Sequence, residues 1–160
     1  MDLLTDFKAY LMTEKRASVN TIASYLRDVT QFLDYLDGES RQVLDVNRDA
    51  IETYMHRLID RGKSAATVTR ALASLKCLYR WLQQIGQCDH NPTKEVKAEK
   101  VERKLPQILS NKEVELLLAQ PRCVDPKGYR DHAMLEVLYA TGIRVSELIS
   151  LDIENVNLSG

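Results

Sequence analysis

The chain has 160 residues, enough for one domain or two small ones with a hydrophobic core. It is 44% hydrophobic and 28% charged, with 22 Lys and Arg residues against 23 Asp and Glu residues. This balance excludes a disordered chain, a collagen-like repeat and a protein that binds nucleic acid through overall positive charge.

The apolar runs are only a few residues long, so the sequence predicts neither a transmembrane helix nor a secretory signal. We therefore expect a cytoplasmic protein with no membrane partner. Three widely spaced cysteines fit neither a disulfide framework nor a zinc ribbon. Cys88 and His90 share one loop, but two ligands are too few for a closed zinc site, and no Gly-rich phosphate loop is present. We expect no metal and no cofactor.

The first 86 residues have the apolar period of α-helices almost throughout and predict four helices. The first presents one apolar face, formed by Leu4, Phe7 and Leu11. The second is expected from about Asn20 to Asp37, with Gly38 stopping it. Four short helices with tight connections predict a compact bundle.

The third and fourth helices have clear start and stop signals. Asn47 is expected to cap the third helix and Ser64 the fourth, with Gly62 and Gly86 at their ends. The fourth helix has a stripe of core residues, formed by Val68, Leu72, Leu75, Tyr79 and Leu82. Its Trp81 is also expected in the core.

Gly38, Gly62 and Gly86 recur every 24 residues, which raises the alternative of a helical solenoid. The segments between these glycines share no pattern beyond amphipathicity, whereas stacked repeats need matching contact residues. The bundle is therefore the favoured architecture.

The helical period fails between Gln87 and Leu105, where Asn91-Pro92 breaks any helix and charged residues dominate from residue 94 to residue 104. We assign residues 1–90 to a first domain, 91–106 to a linker and 107–160 to part of a second domain.

The second domain is predicted to begin with a capping box of Ser110 and Glu113. A further helix is expected from about Tyr129 to Tyr139 and ends near Gly142, with three residues facing inward, Ala133, Val137 and Leu138. A short helix follows at about Ser146 to Leu151. The whole chain is thus predicted to be all-α.

Positive charge is concentrated in the middle of the chain, where residues 57–104 contain eleven basic and five acidic residues. Four residues of the fourth helix and its first turn are expected off the apolar stripe and available to phosphate oxygens: Lys63, Thr67, Arg70 and Ser74. The alternative is an ordinary solvated helix face.

The most informative segment runs from residue 140 to residue 151, with the sequence ATGIRVSELISL. Gly142 allows a left-handed turn after a helix, which leaves Arg144 on the first turn of the next element. A guanidinium donates two parallel hydrogen bonds to phosphate oxygens and keeps its charge, so it can stabilise a phosphoryl-transfer transition state. The alternative is a surface ion pair between Arg144 and Glu147.

This segment, with Tyr129-Arg130-Asp131 before it and Leu151-Asp152 after it, resembles the first conserved box of the tyrosine recombinases, or phage-type integrases. The stretch from Asn20 to Asp28 is similar to the second helix of their DNA-clamping domain. Asn91-Pro92-Thr93 and Leu105-Pro106 resemble their linker and the start of their catalytic domain. The closest resemblance is to the Xer-like group.

The resemblance implies an N-terminal four-helix, SAM-like core-binding domain, followed by the first helices of a mainly α catalytic domain. It implies site-specific recombination of double-stranded DNA through a 3′-phosphotyrosyl intermediate, with further recombinase subunits forming a tetramer on paired sites. Arg144 is then the first catalytic arginine, and Glu147 supports it. The second and fourth helices contact DNA, through Thr21, Ser24, Tyr25, Arg27, Lys63, Thr67, Arg70 and Ser74.

The family's lysine hairpin, His-x-x-Arg motif, later His or Trp and nucleophilic tyrosine all follow the arginine box, whereas only sixteen residues follow Arg144 here. All seven tyrosines precede Arg144. We therefore expect this chain alone to be inactive in cleavage. Two alternatives are a naturally short DNA-binding module that occupies recombination sites and a helical protein-interaction scaffold.

Overall fold

The structure is a computed structural model that describes residues 2–97 and 108–155. It divides the chain into two compact units, which are described separately below. Over these two ranges all regular structure is helical, with seven α-helices and two short 3-10 helices. The all-α prediction is confirmed.

The first unit contains four α-helices and one 3-10 turn: α1 (Leu3–Thr13), α2 (Val19–Gly38), the turn Val43–Asp45, α3 (Arg48–Asp60) and α4 (Ala65–Gln84). Asn47 and Ser64 cap α3 and α4 through side-chain oxygens that accept backbone N–H bonds, as predicted. Ser18 caps α2 in the same way, so α2 begins one residue before its expected start.

Aromatic residues connect α1 to α4 in the core of the first unit. The ring centroids of Phe7 and Trp81 are 5.5 Å apart, and those of Tyr10 and Trp81 are 6.0 Å apart. Tyr79 is fully buried and donates a hydrogen bond of 2.9 Å to the carbonyl of Val43. Tyr79 and Trp81 are thus core residues, as the helical period predicted.

Gly62 and Gly86 have φ of +74° and +72°, which confirms their predicted place after α3 and α4. Gly38 differs from its prediction because it is the last residue of α2, and its φ is not positive. The residue in the left-handed conformation is Ser40, with φ of +51°. The turn after α2 is closed by a hydrogen bond from Arg41 N–H to Leu36 O.

Residues 88–97, here called the strap, pack against the first unit. Cys88, Thr93 and Val96 are buried, and the Lys76 ammonium donates a 2.8 Å hydrogen bond to Val96 O. The Oδ1 atom of Asn91 accepts bonds from the backbone N–H and the hydroxyl of Thr93, which closes a tight turn. Residues 91–97 of the expected linker are therefore part of the first unit, and residues 98–106 lie outside the described residues.

The second unit contains α5 (Asn111–Leu118), α6 (Pro126–Thr141), α7 (Val145–Ile149) and a 3-10 turn (Ile153–Asn155). The capping box of Ser110 and Glu113 is present, and Gly142 has φ of +66°, as predicted. Asp125 caps α6, so this helix begins three residues before the expected Tyr129.

None of residues 108–155 is fully buried. Ala133 and Val137, which we expected to face inward, are exposed, and Leu138 is half-buried. The prediction was wrong because the main contacts of α6 are with the short helices α5 and α7, which cover too little of its surface. Across the part of the chain that the structure describes, no helix combines the length and the hydropathy needed to span a membrane.

Candidate nucleic-acid interface

A buried carboxylate connects α2 to α4. Asp28 is 2% exposed and accepts bonds from Arg70 Nε and Nη2, at 3.0 and 2.9 Å, and from the Ser74 hydroxyl at 2.9 Å. The hydrogen bond to Asp28 raises the pKa of Arg70. Three donors satisfy this carboxylate, so it fixes the register of the two helices.

Ser74 was predicted to contact DNA, and this part of the prediction is corrected. Its side chain is fully buried and hydrogen-bonded to Asp28 and to Arg70 O, so it does not reach the surface. The helical pattern placed Ser74 on the polar face of α4. Its hydrogen-bond partner, Asp28, lies 46 residues away in the chain, so no neighbouring residue indicated that Ser74 is buried. A short hydroxyl side chain carries no local signal for such a partner.

The other predicted residues on α4 and its first turn are accessible to different degrees. Lys63 is exposed and Thr67 is half-buried, with the Thr67 hydroxyl 2.9 Å from that of Ser64. The Arg70 side chain is 40% exposed, so its outer edge faces solvent while its inner edge binds Asp28. On α2, Arg27 is exposed, and three residues are half-buried, Thr21, Ser24 and Tyr25.

Thr21 and Tyr25 lie at the opposite end of the α2–α4 pair from Lys63 and Thr67. Thr21 and Tyr25 border the same depression as Lys76 and Arg80, whereas Asp28 pairs with Arg70. The two helices therefore run antiparallel. At 1.5 Å per residue, Thr67 is about 20 Å along α4 from Arg80. Sequence reasoning did not single out Lys76 and Arg80, although their i, i+4 spacing on a basic helix was a usable signal.

Arg144 in the second unit lies at the N-cap of α7, directly after the left-handed turn at Gly142. Its backbone N–H donates to Glu147 Oε2 at 2.8 Å, and its Nη1 donates to Oε1 at 3.0 Å. These bonds lower the pKa of Glu147. The side chain of Arg144 is 82% exposed, so most of its donors face solvent. The predicted alternative, an Arg144–Glu147 ion pair, is present in the structure.

Metal ligation finds no support among residues 2–97 and 108–155, where no three His, Cys, Asp or Glu side chains converge on one point.

Each of the two units matches a model of a known protein family. Residues 4–86 match a family model described as "Phage integrase, N-terminal SAM-like domain", and residues 107–160 match "Phage integrase family". The chain belongs to the phage integrase family, whose members are tyrosine recombinases. The family that the sequence motifs predicted is confirmed, together with the SAM-like N-terminal domain.

Curated relatives of this integrase-family chain are named tyrosine recombinases. XerD of Listeria innocua is 39% identical over 160 residues, covering 98% of this chain and 54% of that protein. XerD of Pseudomonas aeruginosa is 40% identical over 156 residues (98% and 52%), and XerC of Roseiflexus sp. is 38% identical over 159 residues (98% and 51%). The chain therefore spans about half the length of the curated relatives it matches.

A solved structure also resembles this member of the phage integrase family. The crystal structure of XerA recombinase matches with a TM-score of 0.48 and 28% sequence identity, over 97% of this chain and 51% of that chain.

Proposed function

We propose that this chain supplies the DNA-binding domain and the first catalytic arginine of a site-specific tyrosine recombinase that acts on double-stranded DNA in the cytoplasm. The observation that carries the proposal is the match of both units to the phage integrase family, in chain order. The names of the curated relatives support recombination as the reaction.

The proposed reaction conserves the energy of the phosphodiester bond. A tyrosine oxygen attacks the scissile phosphorus, a 3′-phosphotyrosyl bond forms, and the 5′-oxygen leaves with a proton. A 5′-hydroxyl of a partner duplex then attacks the same phosphorus and releases the tyrosine. Neither step consumes ATP. Further subunits assemble with this one as a tetramer on paired sites.

Arg144 is the proposed phosphate ligand of this reaction. Its guanidinium can donate two parallel bonds to the nonbridging oxygens and offset the charge that develops on them. Glu147 is the positioning residue, since it accepts bonds from both the backbone and the side chain of Arg144. Nη1 is bonded to Glu147, while the high exposure of the side chain leaves its other edge accessible.

The chain alone is proposed to be inactive, and three of its seven tyrosines are poor candidates for the nucleophile. Tyr10, Tyr54 and Tyr79 are buried in the core of the first unit. Burial raises the pKa of Tyr54 to about 12 and raises that of Tyr79 further, so neither phenol gives up its proton readily. Incubation with a nicked duplex should therefore give no covalent protein–DNA adduct on a denaturing gel.

DNA is proposed to contact exposed polar residues on α2 and α4: Thr21, Ser24, Tyr25, Arg27, Lys63, Thr67 and the outer edge of Arg70. Binding to several phosphates releases condensed counterions, so affinity falls steeply with salt. Fluorescence anisotropy with a labelled duplex should show a loss of affinity of roughly 10³-fold between 50 and 200 mM salt. Affinity that does not change with salt, or no binding at all, would favour an interaction scaffold instead.

Substitution of Arg144 should distinguish DNA binding from DNA cleavage. Arg144→Ala should leave the DNA affinity of this chain almost unchanged, because α2 and α4 supply most contacts. In a longer polypeptide that includes a nucleophilic tyrosine, the same substitution should abolish cleavage. Cleavage at the unaltered rate would remove Arg144 from the catalytic assignment.

A further inference from the structure

A shallow depression of about 410 Å³ lies in the first unit, where the end of α1, the start of α2 and the second half of α4 meet. Three cationic side chains line it, Lys15, Lys76 and Arg80, with the hydroxyl-bearing residues Thr21 and Tyr25. The remaining lining residues are apolar, apart from Cys77, and no carboxylate is among them. These lining residues are here called the basic depression, and all of their charged side chains are positive.

The charge of the basic depression is not neutralised by neighbours. In the part of the first unit that the structure describes, Lys15, Lys76 and Arg80 form no ion pair within 4.0 Å. Lys76 alone is engaged, through its bond to the carbonyl of Val96. An adjoining groove of about 750 Å³ shares Lys76 and Arg80 but also contains Asp89 and Glu95, so it is less suited to an anion.

The lining residues form two facing rows. Thr21 and Tyr25 are one turn apart on α2, and Lys76 and Arg80 are one turn apart on the antiparallel α4. Lys15, which follows α1, also lines the depression. Lys15 and Arg80 both lie near enough to the Cys77 thiol to oppose the rise in its pKa that burial causes. Cations next to hydroxyls are the groups that bind phosphate oxygens in protein–DNA complexes.

We propose that the basic depression binds backbone phosphates of duplex DNA, with Lys15 and Arg80 as charged contacts and Thr21 and Tyr25 as hydroxyl contacts. The proposal rests on the proposed function and adds charged contacts that the sequence did not single out. It places the main charged contact of α4 at Arg80, about 20 Å along the helix from Thr67.

The test compares three charge-removing substitutions. Arg80→Gln and Lys15→Gln change exposed side chains and remove one positive charge each. Arg41→Gln is the matched control, because Arg41 is exposed and follows the opposite end of α2, about 30 Å from Thr21. Lys76 is left intact because its bond to Val96 holds the strap.

Arg80→Gln and Lys15→Gln should each lower the slope of log affinity against log salt by about one unit and weaken binding about fivefold at 0.15 M salt. Arg41→Gln should match the wild type in both the salt slope and the affinity at 0.15 M salt. If the wild type binds DNA but Arg80→Gln and Lys15→Gln both behave like Arg41→Gln, the depression is not the phosphate site and the proposed function stands. If the wild type does not bind duplex DNA, both proposals fail.

Cys77 gives an independent readout, since it lines the basic depression and is half-buried. In a Cys123→Ser background, duplex DNA should slow the alkylation of Cys77 by N-ethylmaleimide severalfold. Inorganic phosphate at the same charge concentration should not. At a DNA concentration close to the Kd of the wild type, the protection should be reduced in Arg80→Gln and retained in Arg41→Gln. Alkylation at the same rate with and without bound DNA would place the phosphates elsewhere.

Discussion

Arg70 on α4 binds the carboxylate of Asp28 on α2 through two hydrogen bonds, of 3.0 and 2.9 Å, across 42 residues of sequence. The two partners differ in exposure, since Asp28 is 2% exposed and the side chain of Arg70 is 40% exposed. Asp28 therefore depends on its protein donors, whereas Arg70 retains contact with water. The carboxylate also offsets the charge that Arg70 can offer to a phosphate.

Arg70→Ala should destabilise the first unit by about 3 kcal/mol, because it leaves the buried carboxylate of Asp28 with only the Ser74 hydroxyl as donor. Urea unfolding followed by the fluorescence of Trp81, the only tryptophan, measures this loss. Arg70→Lys should recover only part of the stability, since an ammonium cannot reproduce the two parallel bonds. An Arg70→Ala protein as stable as the wild type would show that Asp28 does not need its partner.

Ser74→Ala should cost about 1 kcal/mol, since it removes one of three donors to Asp28. The DNA affinity of the folded variant should equal that of the wild type because Ser74 is fully buried. Anisotropy titration well below the unfolding midpoint measures this affinity, and Ser24→Ala is the comparison on the accessible side of α2. A tenfold loss of affinity in folded Ser74→Ala would restore Ser74 as a DNA contact.

Gly38 and Gly62 should respond to alanine in opposite directions. Gly38→Ala should stabilise the protein by about 0.5 kcal/mol, because Gly38 is helical and a Cβ there meets no atom within 4 Å. Gly62→Ala should destabilise it by about 1 kcal/mol, since its φ of +74° strains any residue with a Cβ. Thermal unfolding of both variants measures the difference, and shifts of the same sign would contradict it.

The ion pair between Arg144 and Glu147 in the second unit should make the stability of the start of α7 depend on pH. The pKa of Glu147 is lowered by its bonds to Arg144, so it stabilises the start of α7 above the ordinary Glu pKa of about 4.3. This stabilisation is lost as the pH falls through the lowered value. NMR titration of the Glu147 carboxyl should show a midpoint that rises in Arg144→Ala.

Glu113 is the internal control for this titration, because its pKa is lowered by the corresponding bonds from Ser110. Its midpoint should be unaffected by Arg144→Ala. Equal Glu147 midpoints in the wild type and the variant would mean that the side chain of Arg144 is not bonded to Glu147 in solution.

Sequence reasoning succeeded wherever the signal was local. Asn47, Ser64 and Ser110 are helix caps because their side chains bond to backbone groups three residues ahead. Gly62 and Gly142 end helices through their own φ. Both kinds of signal depend on a few consecutive residues, so the sequence alone was sufficient.

It failed where the deciding partner was distant. Asp28 and Ser74 are polar residues that a helical pattern assigns to the surface, and only their packing across α2 and α4 reveals that they are buried. The sequence predicts a linker from residue 91 onward because charged residues interrupt the apolar pattern there, although Val96 packs against the first unit. The antiparallel order of α2 and α4, which separates Thr21 from Thr67, also has no local signal.

The absence of any fully buried side chain from residue 108 to residue 155 has a consequence for local unfolding. Amide protons exchange slowly when opening a helix also disrupts a packed interior, as it must for α2 and α4 in the first unit. The amides of α5, α6 and α7 have only their own hydrogen bonds and partial cover to protect them, so deuterium should enter these helices long before it enters α4.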